Sequence, residues 1–226
     1  MKNAMQRVTL ALLLTLALSG CALQNPAPRV AVYDFGPGPL NSTAPTPGKP
    51  LPTLLLEILE APAALDSTAV LYRLAYADSQ QLRPYALARW TMTPSQLLRQ
   101  HFRQQLGQQR ALLNPGDSTG PNAAKPLLLQ IELEEFSQLF ESADKSTGLL
   151  RLRATLTRPG TKGGQWLAQR SLTVQHKASS ADAAGGVQAL AAATEAAAQE
   201  LDQWLREFER QPGSSPDAGK NATGAR

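Results

Sequence analysis

A chain of 226 residues, 42% hydrophobic and 18% charged, is long enough to bury a sizeable core as one domain or two small ones. That composition excludes fibrous, collagenous and fully disordered classes. One Cys and two His (His101 and His176) exclude a disulfide scaffold and a Cys/His zinc cage. Aromatic residues at 5% are few for a nucleic-acid stacking surface.

The formal net charge of +4 owes half its size to the first residues. Lys2 and Arg7 stand before an apolar run from Val8 to Leu18 (VTLALLLTLAL), and no acidic residue occurs before Asp34. The run is too short to span a bilayer, which takes roughly 20 residues. It suits a secretory signal peptide. Leu18-Ser19-Gly20-Cys21 follows at once and resembles the lipobox of bacterial lipoproteins. The resemblance implies a signal peptide over residues 1–20 and covalent acyl chains, palmitate among them, on Cys21, the chain's only cysteine. Two or more such chains hold a protein stably on a bilayer, since each buried methylene contributes about 0.8 kcal/mol. Ala22 stands where an Asp would resemble the signal for inner-membrane retention. The resemblance therefore implies the outer membrane, with the protein on its periplasmic side. Without Lys2 and Arg7 the net charge falls to about +2, which does not point to nucleic acid.

Residues 21–29 form a tether, and its eight residues beyond Cys21 extend to at most about 26 Å. The folded domain is expected over 30–210 and a disordered tail over 211–226 (QPGSSPDAGKNATGAR). Val30–Phe35 reads as a short strand and the Pro/Gly-dense stretch 36–52 as a loop. Two successions of three strands and a helix come next. The first has strands at 53–59, 69–76 and 84–90 and a helix over 94–109, with Thr93 as N-cap and Pro94 at the first helical position. Leu98, Phe102 and Leu106 give that helix one apolar face. The second has strands at 127–136, 148–157 and 165–175 and a helix over 182–210. Val187, Leu190, Thr194, Ala197, Leu201, Trp204 and Phe208 form its core stripe. Glu132 and Glu134 alternate with apolar residues, as do Arg151 and Arg153. Antiparallel pairing would bring the two charged rows together on the solvent face. The fold class expected is α+β, a mostly antiparallel sheet with two helices on one face in βββα–βββα order.

Candidate chemistry is sparse. Gly116-Asp117-Ser118-Thr119-Gly120 has the spacing of a hydrolase nucleophile elbow, but that Ser must follow a buried strand and open a helix. Ser118 instead lies in a polar loop between Asn114-Pro115 and Pro121. His101 reads as a boundary residue on its helix and His176 as a strand end. Glu132, Glu134 and Glu135 read as a solvated face rather than paired catalytic carboxylates. No phosphate-binding, dinucleotide or metal motif occurs. The Asn-x-Ser/Thr matches at Asn41 and Asn221 carry no meaning in a bacterial-type lipoprotein.

The most distinctive stretch is Arg83-Pro84-Tyr85-Ala86-Leu87-Ala88-Arg89-Trp90, followed by Thr93-Pro94-Ser95-Gln96-Leu97-Leu98. Strand alternation puts Tyr85, Leu87 and Arg89 on one face and Ala86, Ala88 and Trp90 on the other, with Trp90 toward the core. This stretch resembles the signature of the ABC-type transport auxiliary lipoproteins, which include the paraquat-inducible lipoprotein and partners of mammalian-cell-entry lipid transporters. Tyr33-Asp34-Phe35, Pro62, Leu65-Asp66, Val70, Tyr72-Arg73 and Leu127–Phe136 resemble further family segments in matching order. Ala64, Ser67 and Thr68 depart from the family's usual Tyr, Arg and Pro. The resemblance implies a non-enzymatic periplasmic component that anchors or completes the outer-membrane end of a transport pathway for phospholipid or another hydrophobic solute. It implies no cofactor beyond the acyl chains. The membrane and mammalian-cell-entry or ABC transporter subunits are the implied partners, homo-oligomerisation is left open, and no nucleic acid is expected. Tyr85, Arg89 and Trp90 are the motif residues, structural or partner-binding. The alternatives are a lipid-anchored hydrolase using Ser118 and an outer-membrane assembly lipoprotein.

Overall fold

Apolar residues at every second position from Leu127 to Leu133 build a strand buried on one face, and that strand is the axis of the fold. The structure, a computed structural model, describes residues 29–38, 51–58, 61–117, 125–160 and 164–211. The expectations for residues 1–28, for most of the 36–52 loop, for Ser118 and for the tail from 212 lie outside the described residues. Among the described residues eight strands and three helices follow in order: β1 (Ala31–Tyr33), β2 (Leu54–Ile58), β3 (Ala69–Leu74), α1 (Ala75–Asp78), β4 (Ser79–Trp90), α2 (Pro94–Leu106), β5 (Leu112–Leu113), β6 (Leu127–Phe140), β7 (Ser146–Arg158), β8 (Gln165–Lys177) and α3 (Ala183–Arg210).

The fold is α+β, and its sheet is mixed. β6 pairs antiparallel with β7 along nearly its whole length, and β7 pairs antiparallel with β8. The opposite edge of β6 is shared. Its first residues, Leu127–Ile131, pair parallel with β2, which carries β5 on its far side. Its last residues, Gln138–Phe140, pair parallel with β3. From there the sheet continues antiparallel to β4 and then parallel to β1. The sheet thus forks at β6. The long ladders are antiparallel as expected, and short parallel pairings join the two branches to them.

A bulge between Leu133 and Glu135 shifts the alternation of β6. Leu129, Ile131 and Leu133 face the core before it, and Phe136 and Phe140 are buried after it. Both long helices pack into this single core. In α2, Gln96 reaches back to accept a hydrogen bond from the Thr93 N–H at 3.1 Å, closing the first turn, and Leu98, Phe102 and Leu106 are buried. Asp182 caps α3 by accepting from the Gly185 N–H at 2.8 Å. Along α3, Val187, Leu190, Thr194, Ala197 and Leu201 are buried, while Trp204 and Phe208 are half-buried at its far end. Gly148 of β7 admits the helix closely: a Cβ there would lie 2.6 Å from backbone atoms of Ala189 and Leu190.

Candidate functional site

The motif residues meet where β4 leaves regular pairing. Ala69 lies opposite Arg89, yet Leu71 lies opposite Pro84, so two steps on β3 span five on β4. The extra residues bow out, and the Arg89 guanidinium holds them. Its Nη1 donates to the carbonyls of Tyr85 (2.5 Å) and Ala88 (2.8 Å). The bow also explains one departure from simple alternation. Ala88 is buried beside Trp90, whereas Ala86 is exposed.

Trp90 is 2% exposed and faces the core as expected. Its ring centroid lies 5.7 Å from Phe35, edge-on, and 5.6 Å from Phe136. Tyr85 is half-buried, 4.6 Å from Tyr72, and its hydroxyl donates to Gln138 Oε1 at 2.7 Å. Gln138 is fully buried, and its amide donates onward to Ser146 Oγ at 2.7 Å. Burial, reinforced by Tyr72 and then Asp182, pushes the Tyr85 phenol well above its ordinary range, so it stays a neutral donor. Tyr85 and Gln138 tie β4 to β6, Ser146 extends the chain of bonds to β7, and Arg89 ties β4 to itself.

Beside this cluster lies a cavity of about 260 Å³, lined by residues of 34–36 and by Thr91, Met92, Leu97, Gln100, His101 and Gln104. The one carboxylate among the lining residues is Asp34, which accepts from the Gly36 N–H in a tight turn. His101 packs edge-on against Phe35 and bonds Glu195 Oε2 at 2.8 Å, an oxygen that also accepts from Gln105. That places His101 at the boundary between α2 and α3. His176 is exposed on the outer strand, its ring against the Lys177 carbonyl.

The two charged rows meet as expected. Arg153 pairs with Glu134 at 2.7 Å and reaches Glu132 at 3.7 Å, while Arg151 is exposed and has no ion-pair partner among the described residues. Glu135 departs from the solvated reading: it is 6% exposed and held by Nε and Nη2 of Arg73, at 3.2 and 2.9 Å, with Ser137 donating to it as well. The bulge in β6 turns Glu135 toward the β3 branch and away from its neighbours. Sequence reasoning did not find Gln138, Arg73 as the ion-pair partner of Glu135, or Arg110, whose fully buried side chain clamps Glu209 and Asp202 of α3. No periodicity marks such residues, because each partner is distant in the chain.

Among the described residues no group of His, Cys, Asp and Glu is placed to hold a metal ion, and no helix is long and apolar enough to cross a membrane. A family model, the ABC-type transport auxiliary lipoprotein component, matches residues 33–202. The chain belongs to this family. The matched range opens at Tyr33 of β1, contains the whole Tyr85–Arg89–Trp90 cluster and closes at Asp202 of α3, so the auxiliary lipoprotein domain and the forked sheet are one object. Among solved structures, protein XCC0632 from Xanthomonas campestris has a TM-score of 0.63 at 19% identity, covering 80% of this chain and 100% of its own. A second, an uncharacterised protein, has a TM-score of 0.58 at 14% identity, covering 78% and 99%. At these identities the likeness concerns the fold. Comparison with curated proteins returns no match.

Proposed function

We propose that this auxiliary lipoprotein is acylated at Cys21, sits on the periplasmic side of the outer membrane and acts without catalysis. In this reading it anchors the outer-membrane end of an ABC-type, mammalian-cell-entry-like transport system that moves phospholipid or another hydrophobic solute. The observation that carries the reading is the family match over residues 33–202 standing behind Leu18-Ser19-Gly20-Cys21. The chemistry of the cluster supports it. Trp90, Tyr85 and Arg89 are spent on packing and on internal hydrogen bonds, and His101 is engaged with Glu195. A binding component needs a rigid body on a short tether, and the tied β3–β4–β6 region provides one.

The test has two parts. Cys21→Ser should abolish lipid labelling and leave an unprocessed precursor; a mutant still acylated in the outer-membrane fraction would refute the anchor. Ser118→Ala, His101→Ala and His176→Ala made together should still restore envelope integrity in cells lacking the native copy. Loss of function in that triple mutant at normal abundance and location would favour a hydrolase instead.

A further inference from the structure

β8 ends the sheet on the side away from the fork. It runs for 13 residues, pairs with β7 alone, and contains no proline. Its outer backbone edge has no strand partner among the described residues. Long free edges of this kind are usually blunted, because their open N–H and C=O groups template further pairing. One blunting device is an inward-facing charge, and Arg170 occupies that position. Its charge, however, is already matched by Glu200 of α3 at 3.1 Å, so an added strand would not leave it uncompensated. A large apolar group also waits beside the edge: Trp166 is 64% exposed. It pairs with Thr157 on the polar face, where an irregularity in the β7–β8 register displaces it from the alternation that follows.

We propose that the edge is filled by a second copy of this chain, with the two β8 strands antiparallel about a two-fold axis at Ser171. The segment is self-complementary in that register. Ser171 meets the partner's Ser171, Gln169 meets the partner's Thr173, and both pairs lie on the polar face. Ala168 meets the partner's Val174 and Arg170 meets the partner's Leu172 on the core face. No like charges stand directly opposite, so each pair belongs to a favourable or neutral class. Trp166 lies just outside the paired stretch on the polar face, where the far end of the partner's strand crosses it. The interface is isologous and closed, so it yields a dimer and stops there.

The experiment uses the full chain in its native membrane. Directly opposed residues of an antiparallel pair have Cα atoms about 4.5–5.5 Å apart, within the span a disulfide bridges. Ser171→Cys should therefore give a reducible dimer under mild oxidation, well above the unsubstituted chain. Gln169→Cys alone should not, because its copy lies four residues away along the strand, about 13 Å. The double variant Gln169→Cys/Thr173→Cys should cross-link again. A second measurement needs no cysteine. Gln169→Lys/Thr173→Lys puts like charges opposite each other and should return the detergent-solubilised chain to the monomer mass, while Gln169→Glu/Thr173→Lys should keep the dimer. Equal cross-linking from Ser171→Cys and Gln169→Cys would overturn the register. A monomer from Ser171→Cys at normal abundance, or its cross-linking to a different protein, would overturn the proposal itself.

Discussion

Trp90→Ala tests whether this tryptophan is a pillar of the core or a contact held for a partner. The indole is 2% exposed and packed between Phe35 and Phe136, both within 6 Å centroid to centroid. Truncating a buried Trp costs about 3–5 kcal/mol, of which the two lost ring pairs account for about 0.5–1.5 each. Phe35 also lines the neighbouring cavity, so it is free to lean into the vacated space and recover part of the loss. A working figure is about 4 kcal/mol. For a domain of this size each kcal/mol moves Tm by about 2–4 °C, which predicts a fall of about 8–16 °C. Thermal unfolding of the full chain followed by far-ultraviolet circular dichroism reads it directly. Trp90→Phe, which keeps a ring against both neighbours, should lose less than half as much. A fall of under about 4 °C for Trp90→Ala would refute the core assignment. A fall of the expected size would mean that any loss of transport in the mutant reports instability before it reports binding.

Tyr85→Phe strands the buried Gln138 carbonyl that the hydroxyl now satisfies, and a urea titration should show about 1–3 kcal/mol lost. Breaking the Arg73–Glu135 pair with Glu135→Leu alone should cost about 3–5 kcal/mol, while Arg73→Met/Glu135→Leu together should cost clearly less; equal costs in denaturation curves would show that the pair is not electrostatically coupled. Asp182→Ala should cost about 0.5–2 kcal/mol at neutral pH by removing the α3 cap. The Gly185 N–H and then the Ser180 hydroxyl hold the Asp182 carboxyl below its ordinary 3.8, so this stabilisation is present above that pH and is lost as pH falls through the lower folded value. The gap in Tm between wild type and Asp182→Ala should accordingly close below about pH 4, and a gap that persists into stronger acid would contradict the cap.

The elements that could be read in advance are those whose partners lie close in the chain. Leu129, Ile131 and Leu133 announce a half-buried strand, and Thr93-Pro94 announces a helix start, because period and capping are local. The Glu132/Glu134 and Arg153 match was legible for the same reason, since a hairpin joins the two strands. The fork was not. Leu54–Ile58 finds its place against Leu127–Ile131, and nothing in either segment encodes which distant strand it will meet. The burial of Glu135 was hidden by the bulge, which breaks the period used to read its neighbours. At the candidate site, Trp90 was legible through Ala88 beside it. The duties of Tyr85 and Arg89 were not, because both depend on an irregular stretch, and that of Tyr85 also on Gln138, 53 residues away.

The fork at β6 also governs when the domain can exist at all. A chain made from its N-terminus presents β1, β2, β3 and β4 before Leu127 has been added, and both branches wait for one strand to hold them. A fragment that stops short of Leu127 should therefore contain the whole Tyr85–Trp90 segment and lack the strand that joins the two branches. Such late closure is slow and leaves strand edges open meanwhile. In this topology the edges of β2 and β3 stay open until β6 is made, an interval in which the growing chain is exposed to mispairing.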